Sequence, residues 1–410
     1  MVGPGYSFLG EQERKNVEQV LSTWQLTRYA HDKPDSTSFV SRFEAAAQQY
    51  FGTSHAVAVN TGTSALLTAL GACGIGPGDE VIVPAYTFIA SIGTIVYSGA
   101  TPVLAEVDES FTLDPVDVAR RITPRTRAIM PVHMLGASCD MAALRELAER
   151  HHLMVIEDVA QACGASYQGQ PLGTHGDIGA FSLNQFKVIT SGEGGFVLTT
   201  DDRLHQRSYS FQDQGWYPGR TDDGEGDVMF GLNLRMPELD AAVACAQLEK
   251  LDTVLESCRR RKNEVASLIP DRDGLRRRTL HDAEGECGTL LVYVFDRAKD
   301  AAAVADKLGT RTMQNSGRHY YANMPALAAL AADDPGRPCP FQNTKAAVPG
   351  AYQVGTFPQT DSVLSRSVAI SVGVNDRYIG SGFGVTVRSS GSEVEQVAER
   401  FTDVVSDVVG

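Results

Sequence analysis

Apolar positions along this chain follow two periods, and the change from one to the other divides it. Residues 11–21 carry helical spacing at Val17, Val20 and Leu21, and residues 39–50 repeat it with Phe43, Ala46 and Tyr50. The polar stretch 27–36 separates them. From His55 short apolar runs alternate with helical patterns: 55–59, 81–84, 102–107, 127–133, 153–156 and 179–183 read as strands, and 65–72, 115–122 and 141–151 as helices. This alternation predicts an α/β domain around a mostly parallel sheet. Past Leu251 the order is looser. A helix over 258–268, a strand over 287–295, a helix over 301–308, strands over 366–374 and 383–387 and a closing helix over 393–408 predict a smaller α+β domain, with 331–340 as a Pro- and Gly-rich loop. A chain of 410 residues exceeds one compact core. The expected division is therefore an arm (1–50), a large domain (51–251) and a small C-terminal domain (252–410).

Composition narrows the class. The apolar fraction of 43% suits a soluble enzyme, and a formal net charge of -14 offers no electrostatic footprint for nucleic acid or an anionic membrane. No apolar run is long enough to span a bilayer, and residues 1–10 lack the basic and apolar regions of a secretion signal, so a cytoplasmic location is expected. Seven scattered cysteines, odd in number and never spaced C-x-x-C, read as reduced structural residues. His151 with His152, and His133 with Cys139, lack a ligand spacing, and no metal is expected.

Candidate chemistry gathers where strands end. After 55–59 comes Asn60-Thr61-Gly62-Thr63-Ser64 and then a helix, which brings free N–H groups, the favourable dipole end and hydroxyls to one point suited to a phosphate; the plain alternative is that Thr63 or Ser64 caps the helix. The motif is neither a Walker loop nor G-x-G-x-x-G. Phe88, just past 81–84, is either a platform for a flat ring or core. Asp158 closes the apolar run of Val155 and Ile156, at the edge where open α/β sheets bind ligands; it either faces a cation such as a protonated ring nitrogen or caps the segment after the strand. Lys187 sits on a short linker between the strand 179–183 and a glycine-rich turn, where desolvation favours the neutral amine that attacks an aldehyde; otherwise it is a surface lysine beside a hairpin. A ligand with a phosphate, an aromatic nitrogen and an aldehyde is pyridoxal 5'-phosphate.

The residues 60–66, 74–84 with Tyr86-Thr87-Phe88, 131–136, 155–162, 181–195, 231–236 and 246–251 resemble the DegT/DnrJ/EryC1/StrS family of sugar and cyclitol aminotransferases. The resemblance implies fold type I of the pyridoxal-phosphate enzymes. It implies Lys187 as the lysine that holds the cofactor and then moves a proton, and Asp158 as the carboxylate on the pyridine nitrogen. Gln161 would donate to the ring oxygen, Gly62, Thr63, Ser64 and Ser182 would hold the phosphate, and Phe88 would stack on the ring. Asn233 would reach the phosphate from a second subunit, making a homodimer with a shared active site. Arg318, His319 and Tyr320 fall where the family places substrate-facing residues. The reaction implied moves an amino group from glutamate or glutamine to a keto-sugar or keto-cyclitol, in amino sugar or aminocyclitol biosynthesis of the kind found in antibiotics. Two alternatives stand beside it: a lyase or dehydratase of the same family, against which the presence of Lys187 counts because the dehydrases carry histidine there, and a non-catalytic cofactor-binding regulatory protein.

Overall fold

Six of the seven strands in the central sheet run the same way, which brings their carboxyl ends to one edge. The computed structural model describes residues 3–29, 38–217, 227, 229–315, 317–331, 352–374 and 381–410. The strands are β1 (His55–Val59), β2 (Glu80–Pro84), β3 (Thr101–Ala105), β4 (Thr126–Ile129), β5 (Met154–Asp158), β8 (Ile178–Ser182) and β9 (Gly195–Thr199), with a two-residue hairpin, β6 (Ser166–Tyr167) and β7 (Gln170–Pro171), outside the sheet. Their order is β1-β9-β8-β5-β4-β2-β3, and only β9 runs against the other six.

Successive side chains on a strand face opposite ways. Ala56, Ala58, Ile82, Ala105, Ile129 and Val155 accordingly enter one core cluster, and Val57, Val59, Val81, Val83, Leu104, Ala128 and Ile156 the other. Both faces are covered, as a parallel sheet requires. Helices α3 (Gly62–Ala72), α4 (Ile89–Tyr97), α5 (Pro115–Arg121), α6 (Met141–His151) and α7 (Asp202–Gln212) provide much of that cover.

The arm is fastened rather than free. Its helices α1 (Glu11–Thr23) and α2 (Phe39–Phe51) pack on α8 (Glu238–Leu248). Asn16 Nδ2 donates to Ala242 O at 2.9 Å, and the Glu238 carboxylate accepts from Ser38 Oγ and Phe39 N, both at 2.6 Å. Residues 30–36 of the polar stretch and 332–340 of the expected loop lie outside the described residues.

Helix α9 (Leu251–Leu268) leads into a three-stranded antiparallel sheet, β10 (Leu275–Arg277), β11 (Leu290–Phe295) and β12 (Ser367–Ser371). Leu291, Tyr293, Phe295, Val368 and Ile370 pack toward α9, α10 (Ala298–Leu308) and α13 (Gly391–Val409). The alternate residues Leu290, Val292, Val294 and Ala369 join the core of the central sheet. Helix α11 (Pro325–Ala331) comes after Tyr321, and α12 (Pro358–Ser365) precedes β12. The strand expected over 383–387 does not form: Gly384 at φ +144° turns the backbone away after a single bridge to Ser371. The strand expected over 127–133 ends at Ile129, because Pro131 has no N–H for a ladder and Leu135 turns left-handed at φ +59°. Among the described residues no helix is long and apolar enough to cross a membrane.

Candidate active site

The corner expected to take a phosphate lies where β1 and β8 end together, both opposite Gly195. Thr61 caps α3, its hydroxyl oxygen accepting from Ser64 N at 3.0 Å, so the helix starts earlier than a cap at Thr63 or Ser64 would set it. Ser64, buried, donates its hydroxyl to Asn60 Oδ1 at 2.6 Å, while Thr63 is exposed. The N–H groups of Gly62 and Thr63 belong to the first turn, which has no acceptor within the helix. A Cβ on Gly62 would lie 2.5 Å from Ser182 Cβ. This glycine is dictated by the approach of two chain segments, and the result brings the first-turn N–H groups of α3 close to the Ser182 hydroxyl.

Asp158 is 3% exposed at the end of β5. Its Oδ2 accepts from Ser91 Oγ at 2.7 Å and its Oδ1 from Ala160 N at 3.0 Å. Thr87 Oγ1 lies 2.7 Å from Ser91 Oγ and supplies the proton that Ser91 accepts. Ser91 stands in the first turn of α4, three residues beyond Phe88, so one chain of hydroxyls ties the carboxylate to the aromatic platform. Gln161 Oε1 accepts from Leu135 N at 3.0 Å, which leaves the amide NH2 as the group to donate. Leu135 is itself left-handed, a local strain beside this contact.

Behind Asp158 lies a second buried group. His133 Nδ1 accepts from Cys139 N at 3.1 Å, so its proton is on Nε2, 3.0 Å from Glu157 Oε2. The Glu157 carboxylate also accepts from Gly173 N, His175 N and Gly176 N. Burial pushes this carboxyl pKa up, but His133 and the glycine N–H donors outweigh it and hold it below the usual glutamate range. His133 N in turn donates to Asp158 O at 3.0 Å, so this network props the strand end that presents Asp158.

Lys187 is half-buried on the loop after β8, its N–H donating to Asn184 O at 2.9 Å. Asn184 N donates to Ser182 Oγ at 3.4 Å, which connects the Gly62–Ser182 corner to the lysine loop. Because Asp158 pairs with Ala180 in the β5–β8 register, Asp158 and the lysine loop leave the sheet from neighbouring strands. His319 is brought to the same edge by a bridge between Tyr86 and Tyr320, with Thr87 N donating to His319 O at 2.9 Å; its ring centroid is 5.4 Å from that of Phe88. Arg318 is exposed beside it. Tyr320 is 2% exposed and donates its hydroxyl to Asp361 Oδ1 at 2.7 Å, so it fastens the bridge to α12, which leaves His319 and Arg318 as the substrate-facing candidates of that trio. Asn233 is exposed, away from the Lys187 loop in hydrogen-bond terms, and bridged to Asp213. Ser91 and Thr87 escaped the sequence reading, where an Ala-Ser-Ile run inside an apolar helix carries no sign of a distant carboxylate.

A doubly covered, mostly parallel sheet with a carboxylate, a lysine and a helix N-terminus at its carboxyl edge defines an α/β enzyme of fold type I. Residues 8–372 match the DegT/DnrJ/EryC1/StrS aminotransferase family, and the chain belongs to it. A GDP-perosamine synthase of Caulobacter vibrioides is 48% identical over 215 residues, 52% of this chain and 57% of that protein. An L-glutamine:2-deoxy-scyllo-inosose aminotransferase of Micromonospora echinospora is 43% identical over 234 residues, 55% of each. The chain thus spans little more than half the length of these curated relatives. Among solved structures, a 3-amino-5-hydroxybenzoic acid synthase is 28% identical and matches over 97% of both chains with a TM-score of 0.75, and an aminotransferase from Psychrobacter cryohalolentis is 27% identical over 98% of both with a TM-score of 0.77.

Proposed function

We propose that this protein is a pyridoxal 5'-phosphate-dependent aminotransferase that carries an amino group from glutamine or glutamate to a ketone on a sugar or cyclitol. The observation that carries the reading is the buried Asp158 carboxylate, fixed by Ser91 and Ala160 N between the Phe88 platform and the β8–Lys187 loop. The residues fit the cofactor. The Gly62–Ser182 approach and the first-turn N–H groups of α3 suit a phosphate, the Gln161 NH2 suits a ring oxygen, and Asp158 suits a protonated ring nitrogen. When bound, the ring supplies an electron sink for the carbon that exchanges nitrogen. The chain's own part is to hold the proton on that ring nitrogen through Asp158, and to move one between neighbouring atoms with Lys187 Nζ. His319, whose ring packs near Phe88, is the residue this reading assigns to the acceptor's side. The names of the relatives, a perosamine synthase and glutamine-dependent inosose aminotransferases, support sugar or cyclitol acceptors and glutamine as donor. A homodimer and a cytoplasmic location complete the reading.

The test is direct: the pure protein, given the cofactor, should take nitrogen from L-glutamine or L-glutamate and aminate at least one member of a keto-sugar and keto-cyclitol panel. Lys187→Ala should lose this. Transfer surviving in that variant sinks the assignment. Elimination with aromatisation is the second reading, favoured by the synthase of an aromatic amino acid among the solved relatives. It would leave product without net nitrogen gain.

A further inference from the structure

The segment Gly3–Phe8 lies against the outside of the Lys187 loop, backbone on backbone. Gly3 N donates to Gln185 O at 2.8 Å. A Cβ on Gly3 would stand 2.3 Å from Lys187 O and 2.4 Å from Phe186 C; one on Gly5 would stand 2.6 Å from Val188 O and 2.7 Å from Ile189 Cα. Both glycines are buried. The contact thus runs along residues 185–189 with no room for a side chain at Gly3 or Gly5. On its inner side the loop is closed by Ser191 N to Leu183 O at 2.9 Å and Gln185 N to Gly192 O at 3.1 Å, so the lysine is clamped from both sides.

The outer clamp is itself anchored at three places. Lys250 Nζ donates to Phe8 O at 2.9 Å and pairs with Glu13 at 2.6 Å. Gln247, which accepts from Thr190 N of the loop at 3.3 Å, donates to the same Glu13 at 2.7 Å. Arg388, in the chain after β12, donates to Ser7 O, and a Cβ on Gly373 would meet Pro4 Cβ at 3.2 Å. A loop held only at its ends would let Lys187 wander; this segment removes that freedom.

We infer that Gly3–Phe8 is a positioning element for Lys187, with Gly3 and Gly5 as the residues that permit its contact. The inference rests on the reading of Lys187 as the cofactor-bearing lysine. Any side chain at Gly3 must push the Lys187 peptide, and misplacement by about 1 Å at a reacting group costs up to ~100-fold in rate.

Gly3→Ala, Gly5→Ala and, as a control with open space around its Cβ, Gly391→Ala separate this role from a general one. The first two should lower kcat roughly tenfold with KM for the amino donor within about threefold, and should move the pH midpoint of the bound cofactor's visible band by about half a unit or more. Gly391→Ala should leave both unchanged. Hydrogen exchange on the unmodified protein gives a reading that needs no variant to fold: the amides of residues 3–9 other than Pro4 should slow on cofactor loading together with amides 184–192. Indifference of amides 3–9 to loading, or unchanged kcat and midpoint in a folded Gly3→Ala, overturns the inference. Borohydride fixation of the cofactor to the Lys187 peptide, read by mass, keeps the two levels apart. With fixation and indifferent glycines only the positioning role falls; without fixation the reading of Lys187 falls first.

Discussion

Ser91 is a small residue with a large expected effect, because the oxygen it serves is buried and charged. A hydrogen bond to a charged group contributes about 1.5–3 kcal/mol, against about 1 for a neutral pair. Ser91→Ala should therefore weaken cofactor binding by roughly ten- to a hundredfold, with Ser91→Thr recovering much of it; a spectroscopic titration with the cofactor reads both. Equal affinity in serine and alanine forms would mean that Asp158 is held by Ala160 N alone. Glu157 calls for a different measurement. Its carboxylate accepts from His133 and three backbone N–H groups, and a glutamine there would turn an NH2 toward donors. A hydrogen bond to a charged group contributes about 1.5–3 kcal/mol, and Glu157→Gln should lose at least about that much in urea unfolding at neutral pH. The sign with pH is fixed by the lowered carboxyl pKa: the contribution is complete above the ordinary glutamate value, about 4.3, and disappears as pH falls through the lower folded value. The gap between wild type and variant should thus narrow below about pH 4.

At the scale of elements, the site depends on how closely the start of α3 can approach the end of β8. Gly62→Ala would place a methyl 2.5 Å from Ser182 Cβ, an atom too near the backbone to swing aside. Overpacking of this kind costs about 1–3 kcal/mol, and because the strain falls on the phosphate corner, cofactor affinity should drop by more than about tenfold while the melting temperature falls by only a few degrees. Calorimetry and cofactor titration on the same preparation would check the two together. The sheet was legible in the sequence because its strands are apolar runs bounded by turns, and Asp158, Ser182 and Lys187 could be picked out as candidates because they stand at the ends of such runs or on the linker that follows. The helix cap was not. Asn60, Thr61, Thr63 and Ser64 are all competent caps, and Thr61 takes the role because the Gly62–Ser182 contact sets the register, a fact of tertiary structure. Ser91 and Gly3 were hidden for the same reason, since their partners lie 67 and 182 residues away. The strand expected at 383–387 has the right apolar content, and a positive φ at Gly384 decides against it.

For the whole molecule, the position of Asn233 sets the question. It is exposed, and close to it in sequence Phe230 is 97% exposed and Leu232 52%, an apolar stretch that a monomer gains nothing by showing to water. The proposed homodimer covers this face with a second copy of the chain and assigns Asn233 to that copy's site, not to the one its own Lys187 serves. Complementation tests this without a structure of the pair. Lys187→Ala and Asn233→Ala should each be nearly inactive alone. Unfolded together and refolded as a mixture, they should form hybrid dimers in which one site takes its lysine from one chain and its asparagine from the other. By two-fold symmetry about a quarter of all sites in an equal mixture are then intact, so about a quarter of wild-type activity should return. If Asn233 served its own chain's site, every hybrid site would lack one of the two residues and no activity would return. Exchange is essential to the result, so mixing the folded variants briefly should restore far less than co-refolding.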